Sequence, residues 1–341
     1  MTRILSADIL IADVIISLAE HPALGAFIEK YRLQPGGKTA LDDAQLQEFL
    51  AATEGLHVTV TPGGSSANML TTLGKLLGSE IDVRFFGITG EGSYSDIIRH
   101  SLDDAGITLL PDRLLPTQIK PQTAISFVFI LPGGQCTIAT HPGNARDILK
   151  PAMIAEHLLQ NSDVLLAQGS LWHKLQPGFA DRLYALCIKH GKQFWLTLPT
   201  QALLSDEEAE NIRHVIPDAA LVLGNEAELI RLYGAPLETA LHSLQKALKG
   251  EALGFITFGK DGAAVVSSHG IKRFPPVPIA EQEIVNTLGA GDTAFAGFAA
   301  GYLKGLAPAV SAQIAMALAG AKLRVNGPRL ADPRAFAPLL P

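Results

Sequence analysis

Short β-rich runs alternate with longer amphipathic stretches through the middle and end of the chain, the pattern expected of an α/β fold built on a parallel sheet. Apolar runs predict core strands at 4–10, 83–88, 164–168, 193–198, 220–223, 254–258 and 263–267. Helical spacing predicts helices at 68–77, 93–105, 151–159, 177–190, 226–232, 239–248, 292–304 and 308–325, and this rhythm fits a single doubly wound domain spanning 1–341. The longest apolar stretch near the start, 4–19, is interrupted by Asp8 and Asp13, and no small-residue cleavage site follows Met1-Thr2-Arg3. It is therefore expected to be a core strand in a cytoplasmic protein.

Two segments break the rhythm. Residues 17–62 are polar, marked by Gly and Pro, and end in the alternating His57-Val58-Thr59-Val60-Thr61. In 123–141, Ile125, Phe127, Phe129 and Leu131 alternate ahead of Pro132-Gly133-Gly134, as in a hairpin. Both are expected to contribute to a small β lid drawn from parts of 14–62 and 112–141, and the period of two suits Phe127 and Phe129 to lid packing.

Composition narrows the classes. At 341 residues and 48% apolar, the chain can bury a large core. Its 27 Lys and Arg against 33 Asp and Glu give a net charge of −6 with no basic run, so neither nucleic acid nor a membrane surface is an expected partner. Cys136 and Cys187 have no metal-ligand or CxxC spacing and are expected to be buried thiols.

The strongest chemical signal is Asn286-Thr287-Leu288-Gly289-Ala290-Gly291-Asp292, where a β-like approach through Glu283-Ile284-Val285 meets two glycines and then a helix carrying Phe295, Phe298 and Tyr302. Amides at such a helix start have no intrahelical acceptor and the helix dipole adds positive potential, so Gly289, Ala290 and Gly291 can form an anion hole. Asp292 could then take the proton of a hydroxyl attacking a phosphoryl group, and a lid would keep water from taking that group instead. The same residues also suit a plain tight turn with Asp292 capping the helix. Gly289-x-Gly291-x-x-Ala294 formally matches a dinucleotide fingerprint, but late in the chain and with Asp292 where a pyrophosphate would approach. Gly37-Lys38-Thr39 fails as a phosphate-binding loop because its first glycine falls at Arg32, and Gly74-Lys75 fails through Met69 and Leu76.

A second cluster, Pro62-Gly63-Gly64-Ser65-Ser66-Ala67-Asn68, lets backbone pass close to a ligand and offers the Asn68 amide to hydroxyls, or simply starts a helix. A third set is Asn225-x-x-Glu228, able to orient water around Mg2+, and Thr257-x-Gly259-x-x-Gly262, able to lie against a nucleotide. Each of these also reads as a helix start or hairpin turn. His141, His173 and Trp172 could touch a substrate, with packing as the plainer role.

With these clusters in this order, the chain resembles the ribokinase-like, or PfkB-type, family of carbohydrate and nucleoside kinases over essentially its whole length. The family's Asp-Thr-x-Gly-Ala-Gly-Asp signature corresponds to 286–292 and its Gly-Gly signature to 63–68. The resemblance implies a doubly wound, mostly parallel sheet with a β lid, and an ATP-dependent kinase acting on a sugar or nucleoside hydroxyl. It implies Asp292 as base, Gly289, Ala290 and Gly291 as anion hole, and Asn225 and Glu228 as Mg2+ and phosphate residues. Thr257, Gly259 and Gly262 would line the ATP site, while Asp13, Gly63, Gly64 and Asn68 would hold substrate hydroxyls. K+ is a further implied cofactor, and a monomer or a lid-mediated homodimer the implied assembly. The layout is most similar to the adenosine-kinase-like branch, with its early Asp13, long insert and terminal Gly327-Pro328-Arg329. Two positions depart from the pattern: Asp8-Ile9 replaces Gly-Asn, and Asn286 replaces Asp, which keeps a carbonyl for a monovalent cation but removes a charge. The alternative from another class is a sensor on the same scaffold that binds a nucleotide or nucleoside without turnover.

Overall fold

The computed structural model describes residues 1–110, 120–132, 135–200 and 204–340. Its strands, in chain order, are β1 (Thr2–Ala7), β2 (Ile11–Ser17), β3 (Lys38–Ala40), β4 (Thr59–Gly63), β5 (Ile81–Phe86), β6 (Ile107–Leu110), β7 (Ala124–Ile130), β8 (Cys136–His141), β9 (Val164–Gln168), β10 (Gln193–Thr197), β11 (Ala219–Asn225), β12 (Leu253–Thr257), β13 (Ala263–Ser267) and β14 (Gly270–Phe274).

A nine-stranded sheet runs in the order β14-β13-β12-β11-β10-β9-β1-β5-β6. It is parallel from β12 to β6 and antiparallel only at β13 and β14. Strand residues are buried on both faces because helices cover both. Leu5 and Ala7 face a core shared with helices Phe179–Lys189, Asp206–Val215, Glu226–Tyr233 and Leu237–Ala247. Ile4 faces the other core, under helices Ser65–Leu77, Ser93–Asp104, Ala290–Leu303 and Pro308–Leu323. Phe298 stacks on Phe255 of β12 with centroids 4.5 Å apart, fixing helix Ala290–Leu303 to the sheet; burying a side chain of this size contributes about 1.5–3 kcal/mol. Gly297 lets helix Pro308–Leu323 close in, since a Cβ there would stand 2.7 Å from Leu318 Cδ1.

A second, five-stranded sheet runs β3-β8-β7-β2-β4. One face carries Val14, Ile16, Ile125, Phe127, Phe129 and Ala139, packed against Leu46 and Phe49 of helix Asp43–Thr53. The opposite face follows from the period of two. Asp13 on β2 lies opposite Ser126 on β7, Ser126 opposite Thr140 on β8, and Thr140 opposite Ala40 on β3, with Lys38 two residues along from Ala40. Lys38 and Asp13 therefore share the face turned away from the aromatic core.

Several boundaries differ from those the sequence predicts. The apolar stretch 4–19 supplies two strands in two sheets rather than one core strand, because the chain turns at Asp8, whose Oδ1 accepts from the Ile9 amide at 2.8 Å. Helix Asp43–Thr53, inside the stretch expected to be lid strand and loop, buries only Leu46, Phe49 and Thr53, too narrow a stripe to dominate the local pattern. The β-like approach at 283–285 is not a strand; Glu281–Glu283 is a 3-10 turn and Val285 makes a single backbone bond, to Leu323 O at 2.8 Å. The helix expected at 151–159 divides into the 3-10 turn Pro151–Met153 and helix Glu156–Gln160. β6 and β14 have no counterpart among the predicted strands. β7 and β8 pair antiparallel as the hairpin predicts, while Gly133 and Gly134 of its turn and lid residues 112–119 lie outside the described residues. No disulfide joins Cys136 and Cys187, and among the described residues no helix is long and apolar enough to cross a membrane.

Candidate active site

Strand order reverses around β1, which lies between β9 and β5, and in open α/β sheets ligands settle beyond the carboxyl ends of the strands at such a point. Helices Ser65–Leu77 and Ala290–Leu303 pack side by side, bringing together the two glycine-rich clusters that the sequence separates by more than half the chain.

Gly289 caps helix Ala290–Leu303 in the left-handed region, φ 72°, and a Cβ there would meet Pro328 O at 1.9 Å, so only glycine fits. The Ala290 amide, expected in the anion hole, instead donates to Thr287 O at 3.3 Å. Gly291 has open space on its side-chain side, and its amide, like that of Asp292, has no acceptor among the described residues. These two amides can receive an anion at the positive end of the helix.

Asp292 Oδ2 accepts from Asn68 Nδ2 at 2.9 Å, and Asn68 Oδ1 accepts from Arg329 Nε at 2.7 Å. Arg329 Nη1 donates in turn to Ser101 Oγ at 2.6 Å, which leaves Nη2 buried with no acceptor among the described residues. This line orients the Asp292 carboxylate from behind, and sequence reasoning saw Arg329 only as part of a branch motif. On the lid side, buried Asp13 leaves no room for a side chain at position 63, where a Cβ would sit 2.2 Å from its Oδ2. Gly64, φ 91°, then turns the chain into the Asn68 helix.

By accessible surface Asp292, Glu228 and Arg329 are half-buried and Lys38 is exposed, while burial within the surrounding protein acts on the charge of all four. Burial pushes Asp292 above the usual carboxylate range, opposed by the Asn68 hydrogen bond, Lys38, Ser65 and Arg329. Burial raises Asp13 to about 7 against the pull of Arg329 and Lys38, and raises Glu228 to about 8 against its bond to the Asn225 backbone and the charge of Lys38. Burial lowers Arg329 to about 10, with Asp13 and Asp292 opposing. Lys38 falls below the usual lysine range through burial and then the like charge of Lys174, while Asp292, Glu228 and Asp13 pull it back up. The Gly-Lys-Thr run that fails as a phosphate loop thus carries a lysine on a lid strand into the charged centre. Nothing local in the sequence marks it.

Asn225 and Glu228 form a reciprocal helix cap: Asn225 Oδ1 accepts from the Glu228 amide at 2.9 Å and Glu228 Oε2 from the Asn225 amide at 3.0 Å. The other Glu228 oxygen stays outside the cap. No group of three or more His, Cys, Asp or Glu able to hold a metal occurs among the described residues. A Mg2+ that keeps its waters and binds phosphates needs only one or two carboxylates, so Glu228, in electrostatic reach of Asp292, fits such an ion. Thr257 ends β12 directly opposite Asn225. Gly262 is required by its own turn, since a Cβ would meet Phe274 O at 2.1 Å, whereas Gly259 opens on free space.

Three further candidates are tied elsewhere. His141 Nε2 lies 3.0 Å from Asp43 Oδ1, His173 Nδ1 2.8 Å from Glu208 Oε1, and Trp172 Nε1 donates to Asp181 Oδ1 at 2.8 Å. The dinucleotide and phosphate-loop readings lose their structural context as well. No strand leads into Gly289, Lys38 lies within a lid strand, and Gly74 lies inside a helix.

The model of the pfkB family carbohydrate kinases matches residues 4–335. The chain belongs to this family. Adenosine kinase of Saccharomyces cerevisiae is 23% identical over 316 residues, covering 89% of this chain and 90% of the yeast protein. Ribokinase of Arabidopsis thaliana is 25% identical over 287 residues, covering 82% of this chain and 72% of the plant protein. The crystal structure of adenosine kinase from Sinorhizobium meliloti superposes with a TM-score of 0.82 at 22% identity, covering 99% of this chain and 98% of that one. This pfkB member is thus a sugar or nucleoside kinase, a phosphotransferase with an alcohol acceptor, and its layout is adenosine-kinase-like.

Proposed function

We propose that this kinase transfers the γ-phosphoryl group of ATP to a hydroxyl of a small sugar or nucleoside, with Asp292 as the base. The supporting observation is the Asp292 carboxylate, held by Asn68 at 2.9 Å at the start of a helix whose Gly291 amide has no acceptor among the described residues. The acceptor oxygen bonds to the γ-phosphorus, its proton passes to Asp292, and the bond from that phosphorus to the oxygen of departing ADP breaks. Burial of Asp292 favours proton uptake, and the free amides of Gly291 and Asp292 face the charge on the transferred oxygens.

Asp13, Gly63, Gly64 and Asn68 hold acceptor hydroxyls in this reading, and Thr257 and Gly259 lie along the nucleotide. Mg2+, when bound, neutralises phosphate charge, and Glu228 and Asn225 would hold it through water.

The test is ATP turnover with Mg2+ across nucleosides, ketoses, aldoses and sugar acids, with Asp292→Asn as control. Turnover with one acceptor class, falling by about 10²–10⁴-fold in the control, supports the reading. Undiminished turnover in Asp292→Asn would remove Asp292 from the chemistry, and ATP binding without turnover on any acceptor would favour the sensor.

A further inference from the structure

Behind the anion-binding turn lies a charge that the reaction as described does not use. Lys322, one residue before the end of helix Pro308–Leu323, is completely buried. Its Nζ donates to Asn286 Oδ1 at 3.0 Å, Asn286 O at 3.3 Å and Val325 O at 3.4 Å. All three acceptors are neutral oxygens, and among the described residues no carboxylate pairs with the ammonium. Burying an ion without a counter-ion is costly, and an amide oxygen with two carbonyls is the donor set that suits a small hard cation. Burial draws the ammonium down to about 8, with nearby Cys136 opposing.

The contacts on either side give this cation its consequence. Asn286 Oδ1 also accepts from the Leu288 amide at 3.1 Å, and Asn286 Nδ2 reaches Val325 O at 3.4 Å and Asn326 Oδ1 at 3.3 Å. One residue after Leu288 comes Gly289, and three residues after Asn326 comes Arg329. The two segments meet again where Gly289 passes under Pro328 O with no space for a Cβ. The ammonium therefore sits at the root of both segments that set Asp292, one carrying it and the other orienting it through Asn68.

We propose that Lys322 is a tethered cation: its ammonium stands where the Asn286 carbonyl would otherwise receive a free monovalent ion, and it positions the 286–292 turn and the 325–329 segment without K+. Lys322 is a positioning residue, since it touches neither acceptor nor phosphate. The inference rests on the kinase reading for its catalytic consequence, while its structural part stands apart from it.

The test begins with the wild-type protein in choline, Na+ and K+ buffers of equal ionic strength. Its melting temperature, and its turnover once an acceptor is found, are expected to be the same in all three. In Lys322→Ala the melting temperature should fall and then rise saturably with K+ or NH4+ but not with choline. Its kcat should drop about tenfold or more and recover with the same ions, with the KM for ATP moving less. Lys322→Met, which fills the space with a neutral chain, should lose as much and recover nothing. A wild-type protein whose melting temperature or turnover depends saturably on K+ overturns the proposal, even if neither variant folds. So does a folded Lys322→Ala protein indifferent to K+ and NH4+. Absence of turnover on every acceptor would count against the kinase reading alone, because the cation-dependent melting of Lys322→Ala remains measurable.

Discussion

Around Asp292 the side chains that set the proposed base bond to one another, from Ser101 through Arg329 and Asn68 to the carboxylate, with distances of 2.6, 2.7 and 2.9 Å. Where β1, β9 and β10 finish, the polar groups are held more loosely. Lys174 Nζ stands 3.4 Å from Asp8 Oδ1 and 3.1 Å from Gln168 Oε1, while Asp8 Oδ2, Ser170 Oγ and Thr197 Oγ1 are buried without a partner among the described residues. The Lys38 ammonium, reaching in from the lid, makes no hydrogen bond or ion pair among the described residues. The first region is preorganised by these mutual bonds among side chains of helices Ser65–Leu77, Ser93–Asp104 and Ala290–Leu303 and the segment of Arg329, so its groups need no rearrangement when charge develops. The second is charged and only partly satisfied, and much of it is contributed by the departure at Asp8 and by the lid. In the proposed reading the chemistry falls to the first region, while the second adds charged groups beside the acceptor contacts of Asp13, Gly63, Gly64 and Asn68, so that a family's activity can persist while its acceptor changes.

The comparison breaks most visibly at the base, where Asp292→Asn carries the largest expected loss. Next is Arg329→Met, which leaves Asp292 in place but removes the group orienting Asn68. Its kcat should fall by about 10²-fold with little change in ATP affinity, since small misplacements of a reacting group cost that much. A loss confined to KM would place Arg329 in binding instead.

A smaller and different effect is expected at the loose end. Lys38→Met and Lys174→Met should each raise the acceptor KM about tenfold, the scale of one charge-assisted hydrogen bond, with kcat and the ATP KM nearly unchanged. If both lysines move the ATP KM instead, the division between regions is wrong.

The last effect is on stability rather than turnover, at Asp13. Its folded pKa of about 7 lies above the unfolded value near 4, so its contribution to stability is complete below about pH 4 and is lost as pH rises through about 7. Ionising it costs the ligand-free fold on the order of a few kcal/mol, and Asp13→Asn should be spared this. The melting temperature of Asp13→Asn relative to wild type should therefore be higher at pH 8 than at pH 5. An equal difference at both values would mean that Arg329 and Lys38 already compensate the charge.

Much of the architecture is legible along the chain because burial repeats locally. β9, buried at every position, lies between two helix-covered faces and reads as a plain apolar run. Helices 226–232 and 308–325 are legible from spacing, and the structure moves their ends by two residues or fewer. Helix Asp43–Thr53 is not, since only three of its residues are buried and its polar remainder resembles a loop. The turn at 286–292 can be read because glycines and an acidic residue at a helix start are neighbours.

By itself, then, the sequence determined the alternation of strands and helices, the glycine turn with its acidic residue, and the family to which the chain belongs. Only the tertiary structure decided that Asn68 meets Asp292 across 224 residues, that Arg329 braces Asn68 across 261, that Lys38 enters from the lid and that Lys322 lies buried under Asn286. The physical reason is range. Periodic burial and turn chemistry are set by residues a few positions apart, whereas the state of a charge depends on every group brought near it and on the water removed, which only the folded chain fixes.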